Sequence, residues 1–154
     1  MPLEPIDPSA APPAAPPASD LVDALAQLSF QIQRVLSVAG AEHDLSVIQL
    51  RLLGILRDRR PGMLELATHL ELDKSSMTGL VSRAEKRGLV LRSPSPHDGR
   101  GVLVSLTPAG RALTDRCAAE IGRRLAALTA PLDDDERREL TRLVTTLTAP
   151  GRPA

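Results

Sequence analysis

Residues 73–88 read Asp-Lys-Ser-Ser-Met-Thr-Gly-Leu-Val-Ser-Arg-Ala-Glu-Lys-Arg-Gly, and their spacing sets two chemistries back to back. Coiled as a helix, Met77, Leu80, Val81 and Ala84 fall at i, i+3, i+4 and i+7 and make one apolar stripe for a core. The opposite face carries Ser75, Thr78, Gly79, Ser82, Arg83 and Lys86, which are short, hydroxyl-bearing or basic. Such a face suits close approach to a major groove. Lys74, Ser75 and Ser76 at the helix start offer N–H groups and hydroxyls to phosphates or base edges. An exposed mid-helix glycine costs roughly 1 kcal/mol against alanine, and close approach gives Gly79 a reason. The competing reading is the solvated face of an ordinary amphipathic helix.

A second constellation follows at Ser93-Pro94-Ser95-Pro96-His97-Asp98-Gly99-Arg100. Two prolines stiffen this loop, and a lone arginine on a thin protrusion suits a minor groove, where the potential is most negative. His97 and Asp98 flank it, and Asp98 is expected to hold the Arg100 guanidinium in a bidentate pair. A plain polar turn is the alternative.

Other chemistry is thin. His43, His69 and His97 have no strained nucleophile turn to serve, so no hydrolase triad is expected and the chain does not read as an enzyme. Glu65 and His69 stand at i, i+4, and Glu42-His43-Asp44 are adjacent, but with so few ligands no metal and no cofactor is expected. Cys117, the single cysteine, falls on an apolar helical stripe and reads as a structural thiol; a redox-responsive regulator using Cys117 is the weaker alternative.

The elements that position these residues follow from pattern. Among 154 residues, 42% are hydrophobic, with one Phe and no Trp or Tyr, so the core is aliphatic and helices are favoured. The lack of aromatic platforms argues against single-strand binders. Lys+Arg and Asp+Glu balance at 19 each, yet residues 72–101 hold six cations against three anions, which localises a basic surplus there. No apolar run nears the roughly 18 residues of a membrane helix. The N-terminus lacks a basic start followed by an apolar stretch, so no secretory leader and a cytoplasmic address are expected.

Residues 1–18, rich in Pro and Ala, read as a loosely extended arm, and 149–154 as a tail. Residues 19–148 read as a single domain. Its first helix starts at Ser19 or Asp20 and is stopped by Gly40, with a stripe of Leu21, Leu25, Leu28, Ile32, Val35 and Leu36. A second helix runs from Ser46 to Arg57. A short one carries Leu66, Ala67 and Leu70, and a fourth is capped by Asp73 and ended by Gly88. Strands are expected at Leu89–Arg92 and Gly101–Leu106. Thr107-Pro108 opens a long helix with Leu113, Cys117, Ile121, Leu125 and Leu128 on one stripe. Asp133 and Glu136 form a capping box for a last helix bearing Leu140, Leu143, Val144 and Leu147. The fold class is mainly α with a small β-hairpin wing. A winged helix-turn-helix core at 46–106 is flanked by dimerisation helices at 19–45 and 107–148. The stripe residues Leu21, Leu25, Leu28, Leu113, Cys117, Ile121, Leu125, Leu140, Leu143, Val144 and Leu147 are more than one small domain can bury, which points to a homodimer.

The chain resembles the MarR family of bacterial regulators. The family's wing reads Asp-Pro-x-Asp-(Arg/Lys)-Arg, then a strand, then Leu-Thr-x-x-Gly. Here Ser95-Pro96-His97-Asp98-Gly99-Arg100 leads through Gly101–Ser105 to Leu106-Thr107-Pro108-Ala109-Gly110. Glu65-Leu66-Ala67 with Leu70 and Leu72 is similar to the first helix of the motif. Ser76-Met77-Thr78 with Leu80, Val81 and Arg83, then Lys86-Arg87-Gly88-Leu89-Val90 and Arg92, is similar to the recognition helix and first wing strand, and Arg92 is expected to contact DNA with them. Ser95 and Gly99 replace the usual acidic and basic wing residues, Ala84 a common Leu, and Gly62 a common Ser or Thr cap. The resemblance implies a homodimeric regulator, read here as a repressor, on a pseudo-palindromic double-stranded operator. It also implies a small aromatic or phenolic effector that lowers operator affinity, with Phe30, Arg34, His43, Arg51 and Met63 bordering its cleft. The Trp of urate responders and the first-helix Cys of redox responders are absent. A constitutive or architectural DNA-binding module without a ligand is the alternative.

Overall fold

The computed structural model describes residues 17–151. The arm expected at 1–18 therefore lies outside the described residues apart from its last two, as do the last three residues of the tail. The chain divides after Gln31 into two compact units. The order is α1 (Ala18–Ala41), α2 (Val47–Leu56), α3 (Met63–Leu70), α4 (Lys74–Lys86), β1 (Val90–Pro94), β2 (Val102–Leu106), α5 (Pro108–Leu128) and α6 (Asp134–Thr148). It is a mainly helical fold with one antiparallel hairpin.

The first unit holds the amino-terminal part of α1, which begins one or two residues before the expected cap. The Asp20 N–H reaches the Pro17 carbonyl at 2.9 Å, and the Ser19 hydroxyl turns to the Asp20 carboxylate. Within the second unit, α1 continues past Gly40, the expected stop. Gly40 is instead buried inside the helix, because a Cβ there would lie 2.4 Å from the Leu45 carbonyl oxygen. The corner closes with Leu45 N–H donating to the Gly40 carbonyl at 2.9 Å and Asp44 in the left-handed region at φ 53.

Ser46 caps α2 in a reciprocal box. Its hydroxyl accepts from the Gln49 N–H at 3.3 Å, and the Gln49 side chain accepts from the Ser46 N–H at 2.8 Å. The helix then buries Leu50, Leu52, Leu53 and Leu56. Gly62 precedes α3 without a side-chain cap. Asp73 caps α4, and Gly88 at φ 72 leaves it in a conformation open to glycine.

The strands pair with Val90 opposite Leu106, Arg92 opposite Val104 and Pro94 opposite Val102. They sit one residue later at each expected start, and β1 runs on through Ser93 and Pro94 because Ser93 still finds Leu103 across the ladder. Gly62 bridges Leu103, and the Val104 N–H donates to the Pro61 carbonyl at 3.0 Å, so the α2–α3 loop is laid along β2. Thr107 caps α5 through the Gly110 N–H and donates to the Gly88 carbonyl at 2.6 Å. Gly110 is needed here, since a Cβ would fall 1.9 Å from the Leu89 carbonyl oxygen.

The core joins α2, α3, α4, the hairpin and α5 around Leu52, Leu66, Met77, Leu80, Val81 and Val104. Leu113 and Cys117, expected on a dimer surface, are 7% and 3% exposed and belong to this core. The reason is that α5 lies along α2 for about its first three turns. Ile121 is partly buried at the end of that contact. By contrast α6, started by the Asp133–Glu136 box, buries no residue in the single chain, and Leu147 is 66% exposed.

Candidate nucleic-acid interface

The site is built outward from α4. Its apolar stripe of Met77, Leu80, Val81 and Ala84 is buried, which turns Lys74, Ser75, Thr78, Arg83 and Lys86 to solvent, with Gly79 and Ser82 half-buried between them. The start of the helix is preformed. The Asp73 carboxylate accepts the Ser76 N–H at 2.8 Å and the Ser76 hydroxyl at 2.6 Å. These bonds hold the Asp73 carboxyl below its ordinary value of 3.8, the side-chain bond from Ser76 contributing most. The Ser76 hydroxyl thus has its proton engaged by the cap, and Thr78 donates its own to the Lys74 carbonyl at 2.8 Å. Both hydroxyl oxygens keep acceptor capacity outward.

Arg92 departs from the expected role of a groove contact. Its guanidinium folds back on α4, donating to the Ser82 hydroxyl at 2.9 Å, the Glu85 carboxylate at 3.2 Å and the Thr78 carbonyl at 3.4 Å. It is a strap that fixes the wing against α4. The wing tip beyond it is exposed at His97, Asp98, Gly99 and Arg100. The expected pairing of Asp98 with the Arg100 guanidinium is not what forms. Asp98 accepts instead from the Arg100 backbone N–H at 3.1 Å, because a tight turn brings the main chain nearer than the side-chain end. The Arg100 guanidinium is left free of any carboxylate among the described residues.

Within the second unit, Arg51 and Met63, both expected to border an effector cleft, line different cavities. Met63 lines a cavity of about 530 Å³ between α3 and α4, with Leu64, Leu72, Lys74, Met77 and Thr78. Arg51 lines a different cavity with Ile55, Asp58, Arg59 and His69. The His43 carbonyl is taken by Arg87, which spans the His43 and Asp44 carbonyls at 2.9 and 2.8 Å and ties the end of α4 to the α1–α2 corner. Phe30, in the first unit, is exposed, as is Arg34 in the second. Burial pushes the Cys117 thiol up from 9.0, away from the thiolate that redox sensing requires. Among the described residues no group of three metal-ligating side chains converges. No helix among them is long and apolar enough to cross a membrane.

One cluster escaped the sequence reading, which assigned the basic surplus to 72–101 alone. Residues 51–60 hold four arginines and one aspartate, and the fold brings Arg111 to the same place. Counting charge in short windows as well as in the motif region would have found the first part. The Arg111 contribution exists only in three dimensions.

The family model described as MarR family matches residues 43–101. Over 111 residues the chain is 32% identical to the homoprotocatechuate degradative operon repressor of Escherichia coli, covering 71% of this chain and 74% of that protein. The chain belongs to the MarR family. It is also similar to the multiple antibiotic resistance protein MarR of Salmonella typhimurium, at 40% identity over 73 residues, 47% of this chain. That match spans about half of the relative's length, 51%. A solved structure of mutant MarR from E. coli complexed with operator DNA is similar at a TM-score of 0.70 and 28% identity, covering 84% of this chain and 94% of that one. The MarR-family relatives named here are transcriptional regulators.

Proposed function

We propose that this MarR-family chain is a sequence-specific double-stranded DNA-binding regulator, acting as a homodimeric repressor on a pseudo-palindromic operator. One observation carries the reading. The exposed polar and basic face of α4 and the base of the wing are held in fixed relation by the Arg92 strap, and the bare Arg100 stands at the tip beyond it. A recognition helix for a major groove and an arginine for the adjacent minor groove need that fixed spacing. That a similar solved structure, mutant MarR from E. coli, is complexed with operator DNA supports operator binding by this chain. Lys74, Ser75, Ser76, Thr78, Gly79, Ser82, Arg83 and Lys86 supply the groove face, and His97, Asp98 and Arg100 the wing.

The dimer reading is supported by α6, which leaves Leu143, Val144 and Leu147 exposed in the single chain. Two-fold symmetry then sets half-sites about one helical turn apart. Leu143→Asp with Val144→Asp is expected to yield monomers by light scattering and to abolish operator binding. An effector reading is supported by the cavity at Met63 and Met77, apolar inside with Lys74 at its edge. A small aromatic acid seated there abuts the α4 face and competes with DNA.

The test is selection of bound duplexes from a random pool, followed by anisotropy titration at physiological salt. Enrichment of an inverted repeat is expected. Arg100→Ala should weaken binding by about 1–3 kcal/mol, and Thr78→Ala should relax the sequence preference. A pool that enriches nothing, or Arg100→Ala binding like the parent, refutes the reading.

A further inference from the structure

The structure carries a second concentration of positive charge that α4 and the wing tip do not use. Arg57, Arg59, Arg60 and Arg111 line a cavity of about 200 Å³ together with Asp58 and Ser105. Their commitments are few. Arg57 faces Asp58 at 3.5 Å, and Arg111 donates to the Arg57 carbonyl at 3.2 Å. Arg59 meets the His69 ring nitrogen at 3.5 Å, a contact that leaves its charge uncompensated. Neither Arg59 nor Arg60 has a carboxylate partner among the described residues. Four guanidiniums around one carboxylate repel one another, and the group this arrangement lacks is an anion. Guanidinium forks match the paired oxygens of a carboxylate or phosphate, so the chemistry of the lining selects an oxyanion.

Position separates this cavity from the wing tip. Ser105 and Leu106 stand at the base of the wing, and each strand residue advances about 3.3 Å. The run from Leu106 to Val102 therefore puts roughly 13 Å of paired strand between the cavity and the start of the tip loop. The volume corresponds to about seven waters. That admits one small ion or a compact organic acid in a concave seat.

We propose that this cavity binds a small, multiply charged oxyanion, of the size of inorganic phosphate or a short di- or tricarboxylate. Bound there, the anion cross-links the loop after α2 to the first turn of α5. That loop continues into Pro61 and Gly62, which lie along β2, so the anion braces the root of the wing. The inference stands on the cavity alone and does not depend on operator binding.

The experiment is calorimetric titration and thermal shift of the full chain with inorganic phosphate and with citrate, at ionic strength held constant by chloride. Saturable binding and a concentration-dependent rise in Tm are expected with at least one of the two. Which anion binds more tightly separates a phosphate from a polycarboxylate ligand. Arg59→Gln with Arg60→Gln should weaken binding about tenfold or more, while Arg83→Gln with Lys86→Gln on α4 should leave it unchanged. If the Arg59/Arg60 double variant does not fold by circular dichroism, Arg60→Gln alone takes its place and should still weaken binding. The proposal is overturned if neither anion saturates below about 10 mM, if the Arg59/Arg60 variant binds like the parent, or if the α4 variant loses binding equally.

Discussion

Replacing Arg92 by alanine separates positioning from contact. The guanidinium makes one short bond to Ser82, one ion pair to Glu85 at 3.2 Å and a longer bond to the Thr78 carbonyl. The Ser82 bond is part-buried and charge-assisted, and contributes about 1 kcal/mol. The Glu85 pair joins side chains 30% and 41% exposed, so solvent reduces it to about 0.5 kcal/mol. The Thr78 bond at 3.4 Å adds little. A total near 1–2 kcal/mol lowers Tm by roughly 3–8 °C for a domain of this size. Operator affinity should fall as well, because the wing loses its bearing on α4. The salt dependence decides between the two roles. An arginine that touches a phosphate contributes about 0.9 to the slope of log K against log salt. Arg92→Ala should therefore leave that slope unchanged and lower Tm, whereas Arg100→Ala should flatten the slope by about 1.8, about 0.9 from each protomer of the proposed dimer, and leave Tm unchanged. Anisotropy titrations at four salt concentrations and a melting curve read both quantities. A flattened slope with an unchanged Tm for Arg92→Ala refutes the strap and restores a direct contact.

Gly110→Ala should cost more than about 3 kcal/mol in chemical denaturation, since its Cβ would overlap the Leu89 carbonyl; Gly122→Ala, in open space on the same helix, should instead stabilise by roughly 0.5–1 kcal/mol. Equal effects at the two sites would contradict the packing. The Asp73 carboxyl is depressed in the folded state, so its contribution is fully present well above 3.8 and is lost as pH falls through the lower folded value. The stability gap between the parent and Asp73→Ala should therefore narrow in acid, and a gap that widens there reverses the sign of the linkage. Cys117, buried and with its pKa raised, should resist a thiol-labelling disulfide at pH 8 in the native protein and react on unfolding. Prompt stoichiometric labelling without denaturant would place it elsewhere.

Where the structure agrees with the sequence, local chemistry decided the matter. Ser46, Asp73, Thr107 and Asp133 are short polar side chains before an apolar period, and each caps the helix that follows. The buried stripe of α4 follows from spacing alone. Where reading failed, the deciding partner was set by three-dimensional geometry and not by residue type or period. Gly40 looked like a stop because glycine commonly ends helices, but α1 runs one residue further, and the glycine is needed where the Leu45 carbonyl closes on it. Arg92 looked like a contact because Ser82 lies ten residues away in sequence and one hydrogen bond away in space. Leu113 and Cys117 could not be told from Leu125 by periodicity, since α5 carries one stripe and only its first part meets α2. Asp98 and Arg100 were close enough to pair, and the choice between main-chain and side-chain nitrogen rests on turn geometry that residue types do not encode.

The hairpin is pinned at one end only. Thr107 to Gly88, Gly110 against Leu89, Val104 to Pro61 and the Gly62–Leu103 bridge all lie at its root or midway, while among the described residues Pro96 to Arg100 make no hydrogen bond or ion pair beyond their own turn. Residues can therefore be exchanged, inserted or removed at the tip with little cost to the domain beneath. On the proposed reading, the part of the molecule that would meet the outer edge of an operator is the part freest to vary. A lineage can shift its target there by small steps, without passing through an unfolded ancestor.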